Sequence, residues 1–273
     1  MTAARRYLPT DPADFGRSAV PVALLVLAAA LPELRVMVLV LLVTGAAVAI
    51  RRTAPVRWTW AGAVPVALSL FWGGLAAPPA ALDGSDCANP ASPVATWRAV
   101  EAVIVLAALV TLAVVLKANP GSLFLRWPAR RWFGWAVAGF LVGGPVALVT
   151  GPHLARPFFG EVGYTLVAGG FVPALVFAAA NGIMEELIYR GALLGWSAKV
   201  IGLWPAVVGQ AVVFGLAHSG SDVIGFQLPL MLALGVGGLL AGVIAVRTRS
   251  LLIPVAVHIG LDIPIYFAFA CGT

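Results

Sequence analysis

Six ionisable side chains occur in apolar stretches of the C-terminal half of the chain. They are Glu185, Glu186, Arg190, His218, His258 and Asp262. Carboxylates and imidazoles are the groups that proteins use as general acids and bases, and they are also common zinc ligands. A charged group is retained in an apolar, membrane-like environment when it is paired or faces water. The set therefore predicts a polar site inside an otherwise apolar protein.

The spacing of these residues indicates which of them share a helical face. Three pairs are four residues apart: Glu186 with Arg190, Phe214 with His218, and His258 with Asp262. Residues at this spacing are neighbours on one face of a helix. Glu186 and Arg190 are predicted to form an ion pair, either a purely structural one or part of the site. Glu185 then has no cation left in its own helix, and it needs a proton, a histidine or a metal.

Two kinds of chemistry fit this set, and the residues leave both open. A carboxylate such as Glu185 can activate water as a general base while a histidine orients the water or protonates the leaving group. A second histidine with a polar neighbour can stabilise an oxyanion, which makes a peptidase. Glu185, His218 and His258 also form a plausible zinc site with an open position for water, although HExxH is absent.

The elements that position these residues follow from composition. Of the 273 residues, 61% are hydrophobic and 10% are charged, and the mean hydropathy is +1.00. This excludes a soluble globular protein. Apolar runs of the length that crosses a hydrocarbon core recur along the chain without strand-like alternation. They predict an all-α, polytopic transmembrane helix bundle in a lipid bilayer.

Eight or nine spans are predicted, with the doubt at the start, where Pro32, Glu33 and Arg35 divide two short runs. The candidate spans are Ala19–Leu31, Val36–Ile50, Trp58–Ala77, Val100–Leu116, Trp132–Thr150, Tyr164–Lys199, Ile201–His218, Val223–Val246 and Leu251–Ala270. Residues 1–163 are predicted to form N-terminal membrane helices and residues 164–273 the helices that carry the site, within one integral membrane domain. Gly238 and Gly242 form a small-xxx-small pair suited to close helix packing.

The helical rise indicates whether the polar residues lie at compatible depths. At about 1.5 Å per residue, Glu185 lies roughly 21 Å from Lys199 and His218 roughly 25 Å from Ile201. His258 lies roughly 10 Å from Leu251 on the same basis. These depths allow the residues to meet in one cavity within the membrane.

The charge distribution predicts the orientation in the membrane. The net charge is +6, but the basic residues stand at span ends rather than on a folded face, so no nucleic-acid partner is expected. With nine spans, most Arg and Lys residues fall on one side of the membrane, and the positive-inside rule predicts that this side is cytoplasmic. The membrane is predicted to be the plasma membrane. Cys87 and Cys271 fall on the other side, and their pairing is left open.

The three motifs resemble those of a known family. Glu185 to Arg190 reads as EExxxR, Phe214 to His218 as FxxxH, and His258 to Asp262 as HxxxD. Their order and rough spacing are similar to those of the CPBP (CAAX protease and bacteriocin-processing, or abortive-infection) intramembrane proteases. The resemblance covers about Tyr164 to Ala270, and the first five spans match only in being apolar.

The resemblance implies an endopeptidase acting on a protein or peptide substrate in or at the membrane. It implies that Glu185 activates water with help from His218, and that Glu186 and Arg190 support the geometry of the first motif. His258 and Asp262 would contribute to an oxyanion site, or to a metal site, since members are described both as zinc metalloproteases and as metal-independent glutamate peptidases.

The chain departs from the most frequent pattern at the last motif position, and the substrate stays open. Asp262 stands where the family often has Asn, and an ionised Asp cannot donate a hydrogen bond to an oxyanion. This shifts the expectation for Asp262 towards orienting His258 or binding a metal. The eukaryotic branch of the family processes prenylated CAAX proteins, but no prenyl pocket is indicated here.

Two other classes of protein fit the sequence less well. A non-catalytic membrane scaffold or immunity protein of the same fold would keep the architecture without needing Glu185. A transporter would use the polar residues as a proton relay, but the inverted repeats typical of transporters are not evident.

Overall fold

The computed structural model describes residues 12–75, 89, 91–159, 166–218 and 228–270. Within these ranges the chain forms nine helices and no strand. Eight of them are α1 (Pro12–Ala30), α2 (Arg35–Arg51), α3 (Arg57–Leu75), α4 (Pro93–Val115), α5 (Arg130–Phe159), α7 (Leu203–Ala217), α8 (Leu228–Thr248) and α9 (Leu252–Ala270). The remaining helix, α6, consists of the consecutive segments Phe171–Glu185, Glu186–Leu194 and Gly195–Ile201.

The helices have the length and surface of membrane spans. Five segments are long and apolar enough to cross a membrane: Pro32–Arg51, Pro93–Val115, Arg130–Thr150, Ala168–Ile201 and Leu228–Thr248. Three shorter apolar helices are Phe15–Ala30, Leu203–Ala217 and Leu252–Ala268. Aliphatic side chains such as Val114 and Val172 are 70% and 69% exposed on the outside of the bundle, as expected for a surface in contact with lipid. The predicted all-α, multi-pass membrane protein is confirmed.

The uncertain start of the chain contains two helices. A short 3-10 turn, Pro32–Leu34, separates α1 from α2, at the position where the sequence predicts a break. Arg35 then begins α2, is 7% exposed, and donates a hydrogen bond from its Nε to the carbonyl oxygen of Ala28 at 3.3 Å. The nine helices therefore follow the order of the nine predicted spans.

Helix α6 has an unusual middle. Its segment Glu186–Leu194 is π-helical, so its turns are wider than those of the α-helical segments on either side. Single π-helical turns are rare, and they often occur at functional sites. The helix ends at Gly202, whose φ of 89° is a conformation that residues with a Cβ rarely adopt.

Contacts along α9 define the direction of its neighbours. Towards α6, Tyr266 lies beside Phe177 and His258 beside Glu186, so the two helices are antiparallel. Towards α5, a Cβ added at Gly139 would touch Val257, and one added at Gly143 would touch the backbone of Gly260. Helices α5 and α9 are therefore parallel, as the alternation of successive spans requires.

Glycines allow α9 to approach its neighbours closely. A Cβ on Gly260 would lie 2.5 Å from the carbonyl oxygen of Phe140 in α5. A Cβ on Gly182 would lie 3.2 Å from the backbone nitrogen of Ile259 and 3.4 Å from the Cβ of His258. The small residues thus bring the backbone of α9 against α5 and α6 at the level of the polar residues.

The predicted glycine pair in α8 also lies at a helix contact. An added Cβ on Gly238 would lie 3.1 Å from the ring of Phe214, and one on Gly242 would lie 2.8 Å from Nε2 of Gln210. Gln210 donates hydrogen bonds to the carbonyl oxygens of Val207 and Gly238 at 3.1 and 2.9 Å. The pair therefore packs α8 closely against α7.

The connections that carry many basic residues meet at one end of the bundle. The backbone nitrogen of Leu251 donates to the carbonyl oxygen of Phe124 at 3.2 Å, and Trp196 Nε1 donates to Ser122 Oγ at 3.1 Å. Lys199 Nζ lies 3.4 Å from the ring centroid of Trp58. We call this the basic end. It also exposes tryptophans, including Trp127 at 85%, as at a membrane interface.

Some sequence predictions lie outside the described residues. Cys87 and Cys271, whose pairing was left open, are among them, as are the predicted starts of two spans at Tyr164 and Val223. The first described residues of those two helical regions are Leu166 and Leu228.

Candidate active site

Helices α6 and α9 bring two of the three motifs together. Glu185 is the last residue of the α-helical segment of α6, and Glu186 is the first of its π-helical segment. Both side chains are buried, with whole-residue exposures of 8% and 1%. His258 and Asp262 lie one turn apart on α9 and face them.

Glu186 contacts two basic groups at once. Its Oε1 lies 2.9 Å from Arg190 Nη1 and 2.9 Å from His258 Nδ1. The predicted ion pair between Glu186 and Arg190 is therefore present, although the Arg190 contact lacks hydrogen-bond geometry. A carboxylate oxygen accepts hydrogen bonds, so His258 Nδ1 is assigned as the protonated nitrogen that donates to Glu186. Glu186 thus links the first motif to the third.

The other nitrogen of His258 faces two carboxylates. Nε2 lies 3.6 Å from Glu185 Oε2 and 3.5 Å from Asp262 Oδ2. These separations are too long for direct hydrogen bonds, and they suit electrostatic contact or a bridging water. Glu185 Oε2 is buried and has no hydrogen-bond partner among the described residues. Of the three partners expected for Glu185, a proton, a histidine or a metal, the structure places a histidine, His258, beside it.

Asp262 is held by a residue of the facing helix. Asn181, one turn before Glu185 on α6, donates a hydrogen bond from Nδ2 to Asp262 Oδ2 at 2.8 Å. Asn181 and Asp262 are 7% and 4% exposed. The polar contact between α6 and α9 thus extends over two turns, from Glu186 to Asn181.

Phe214 links the second motif to the cluster. Its ring centroid lies 4.8 Å from that of His218 and 6.2 Å from that of His258. His218 Nδ1 lies 2.8 Å from the carbonyl oxygen of Phe214 and donates to it, because a carbonyl oxygen only accepts, so Nε2 is the nitrogen left for other contacts. Within the described part of the chain, no carboxylate forms an ion pair with His218. The structure therefore places His218 beside the cluster rather than against Glu185.

The aromatic ring of Phe214 also stabilises Arg190. The guanidinium carbon lies 4.1 Å from the ring centroid, a short cation–π contact. Arg190 is 1% exposed, and its Nε has no hydrogen-bond partner among the described residues. Tyr189 packs edge-on against the same ring at 5.1 Å. Phe214 therefore replaces part of the polar solvation that Arg190 loses on burial.

The cluster contains more acidic than basic side chains. Three carboxylates, Glu185, Glu186 and Asp262, face one guanidinium and one imidazole. Uncompensated negative charge is costly in a membrane interior, so these groups are retained where they pair with one another or meet water. Groups that exchange protons at close distance are what general acid–base chemistry requires.

The depth of the cluster is set by α9. A Cβ on Gly191 would lie 3.7 Å from Leu251 Cδ1, so α6 extends past the start of α9 towards the basic end. The distance of Glu185 from Lys199 along α6 is therefore larger than its depth below the start of α9 at Leu251. His258, seven residues into the membrane from Leu251, lies about 10 Å from it along the helix.

The three predicted metal ligands, Glu185, His218 and His258, do not converge on one point. Among the described residues, no group of three His, Cys, Asp or Glu side chains is arranged to hold a metal ion. His218 Nδ1 is engaged with a backbone carbonyl, and His258 Nδ1 with Glu186. The set Glu185, His218 and His258 does not fit a metal centre in this arrangement, so no chemical step is derived through a metal.

Sequence reasoning missed a second buried polar cluster, between α3 and α4. Arg98 Nη1 lies 2.8 Å from Glu101 Oε2, and Ser69 Oγ donates to Glu101 Oε1 at 2.7 Å. Glu101 is 2% exposed, and Arg98 lies over the ring of Phe177 in α6 at 5.8 Å. The signal was the acidic residue near the start of an apolar span, three residues after an arginine.

The fold and the cluster together define a multi-pass membrane protein with a buried cluster of acidic and basic side chains. Residues 167–263 match the family model described as type II CAAX prenyl endopeptidase Rce1-like. This segment is just over a third of the chain and contains all three motifs. The segment that carries the site is therefore similar to CAAX proteases, which confirms the resemblance stated from the motifs. No curated protein and no solved structure gives a significant match.

Proposed function

We propose that the protein is an intramembrane endopeptidase that hydrolyses peptide bonds of protein substrates with a water molecule activated by Glu185. The observation that carries the proposal is the unpartnered, buried Oε2 of Glu185 facing His258 Nε2 at 3.6 Å. The family match supports the proposal, because the matched family is described as prenyl endopeptidases. We extend that activity to this chain as CAAX-type processing at the membrane.

In the proposed reaction, Glu185 accepts a proton from water as the water oxygen attacks the scissile carbonyl carbon. The carbonyl π bond breaks, and its oxygen becomes the oxyanion of a tetrahedral intermediate. The proton then passes to the amine leaving group as the C–N bond breaks. Burial excludes bulk water and strengthens each electrostatic contact during these steps.

His258 is proposed to stabilise the oxyanion with Nε2. Glu186 accepts the proton of Nδ1, which fixes the ring orientation, while Arg190 balances the charge of Glu186. Asp262 lies on the Nε2 side at 3.5 Å, where its carboxylate makes an electrostatic contact with the ring. His258 thereby supplies the donor that an ionised Asp262 cannot supply.

His218 is proposed to assist from the edge of the cluster. Its Nδ1 is engaged with Phe214, so Nε2 is the nitrogen available to the attacking water or to the leaving group. Its ring is partly exposed at the end of α7. A substrate that enters beside Phe214 would meet His218 before it reaches His258.

The decisive experiment compares Glu185→Gln with the wild type at matched protein levels. The amide has nearly the same size but cannot take a proton, so we expect a loss of at least 100-fold in cleavage, in the range assigned to a general base. Peptide termini in membranes of expressing cells are the measurement, since they reveal proteolysis and name substrates together. Glu33→Gln, at an exposed turn, is the control and is expected to match the wild type.

Retained termini in Glu185→Gln would remove Glu185 from the mechanism. Termini that are the same in cells with and without the protein would contradict the protease. If a cellular phenotype were also preserved in the variant, a non-catalytic scaffold or immunity protein would explain the data better.

We further propose that catalysis needs no metal, because the described donor groups do not gather as a metal site. Purified protein treated with a zinc chelator and then desalted is expected to retain its cleavage rate within about twofold. Loss of activity that added Zn²⁺ restores, with Zn²⁺ measured in the purified protein, would show a metalloprotease instead.

A further inference from the structure

Asn181 contributes a side chain to the cluster that none of the three motifs contains. It lies on α6 one turn before Glu185, and its amide faces α9. The hydrogen bond from Nδ2 to Asp262 Oδ2, at 2.8 Å, joins residues 81 positions apart. A polar side chain at this position of an apolar helix therefore has a specific partner on the facing helix.

The orientation of the Asn181 amide follows from the chemistry of its partner. An ionised carboxylate only accepts hydrogen bonds, so the NH2 group must face Asp262 and Oδ1 must point elsewhere. Oδ1 is buried and has no hydrogen-bond partner among the described residues. An apolar side chain of similar size would avoid this unsatisfied oxygen, so helix packing alone does not explain Asn181.

The Asp262 oxygen that Asn181 holds is the one that faces His258. Oδ2 accepts from Asn181 and lies 3.5 Å from His258 Nε2. Without the amide, the buried carboxylate would lose its hydrogen-bond donor and could rotate away from the ring. The same ring is held from its other side by Glu186 at 2.9 Å.

We propose that Asn181 is a positioning residue of the active site, whose amide holds Asp262 Oδ2 facing His258 Nε2. This inference rests on the proteolytic function proposed above. Two turns of α6 would then hold the His258 ring from both sides. Glu186 contacts Nδ1 directly, and Asn181 acts on the Nε2 side through Asp262.

The first test replaces Asn181 with Leu, which has similar size but no amide. We expect kcat to fall at least tenfold with KM changed less than twofold, because a positioning residue acts on the reacting groups rather than on substrate binding. Leu175→Ala, at a position that is 47% exposed on the same helix, is the control and is expected to match the wild type. A wild-type kcat in folded Asn181→Leu would overturn the proposal.

The second test exchanges the two groups in a double variant, Asn181→Asp with Asp262→Asn. The exchange restores an amide–carboxylate hydrogen bond between α6 and α9 but moves the negative charge away from His258. We expect the thermal unfolding temperature to recover towards the wild-type value while kcat stays at least tenfold low. Recovery of both quantities would show that the pair only joins the helices, and would overturn the positioning role.

A readout that needs no proteolysis separates this proposal from the proposed function. The 15N signals of the His258 ring, recorded in nanodiscs, report which nitrogen is protonated and what it faces. Asn181→Leu is expected to shift Nε2 more than Nδ1. Unchanged signals would overturn the inference even in an active protease. Shifted signals in a protein without any cleavage would leave it standing and refute the proteolytic function.

Discussion

At the scale of single residues, Glu186 has two roles that the sequence could not separate. Its Oε1 contacts both Arg190 and His258 at 2.9 Å, so the same carboxylate balances a buried cation and orients an imidazole. A purely structural ion pair, which the spacing alone allowed, would have contacted only Arg190. Substitutions that remove one role and keep the other distinguish them.

Arg190→Met is expected to lower the free energy of unfolding by about 3 kcal/mol, because it leaves Glu186 buried without its cation. The double variant with Glu186→Gln is expected to regain most of that stability, since no buried charge remains, but not the cleavage activity. Unfolding in detergent titrations and cleavage rates on the same preparations measure the two effects. Recovery of activity together with stability would mean that Glu186 does not orient His258.

At the scale of helices, the π-helical segment and the glycine contacts decide how the motifs meet. The EExxxR motif spans the start of the segment Glu186–Leu194, where the turns are wider than in an α-helix. Gly182 and Gly260 have no side chain, which allows α9 to lie close to α6 and α5. The site therefore depends on close backbone approach as much as on its polar groups.

Gly260→Ala is expected to destabilise the protein by about 1–3 kcal/mol, the usual cost of overpacking a tight contact. The added Cβ would lie 2.5 Å from the carbonyl oxygen of Phe140, and the resulting shift of α9 would also reduce cleavage. Gly134→Ala is the matched control, since nothing lies within 4 Å of a Cβ there. Equal unfolding temperatures for the two variants would contradict the packing described here.

At the scale of the whole molecule, the helices alternate in direction, and many basic residues meet at one end. Loops near Ser122, Phe124 and Leu251 contact one another there, beside exposed tryptophans. The turn Pro32–Leu34 lies at the opposite end, because α2 runs from this turn to Ala49, which packs against Val200 at the basic end. By the positive-inside rule the basic end faces the cytoplasm, which stays a prediction.

Cysteine labelling from outside intact cells tests this orientation. In a background with Cys87 and Cys271 replaced by Ser, Arg130→Cys is expected to resist an impermeant thiol reagent, whereas Glu33→Cys is expected to react. Both positions are exposed at opposite ends of the bundle. Permeabilised cells, in which both must react, provide the control. Labelling of Arg130→Cys alone in intact cells would reverse the topology.

The sequence by itself determined the class of fold and the residues of the candidate site, whose catalytic roles stay predictions. The number of apolar runs predicts the number of helices, because a chain segment in lipid must satisfy its backbone hydrogen bonds within its own helix. Charged residues in such runs are rare enough to mark a candidate site, so Glu185, Glu186, Arg190, His258 and Asp262 could be singled out from the sequence.

Only the tertiary structure decided which groups touch. Periodicity along one helix does not report the neighbour across an interface, so the Asn181–Asp262 hydrogen bond and the Glu186–His258 contact were beyond reach of spacing. The same limit hid the cluster around Glu101 and the separation of His218 from Glu185. These features depend on how closely glycines let helices approach and on a π-helical turn, and both arise from packing between segments distant in sequence.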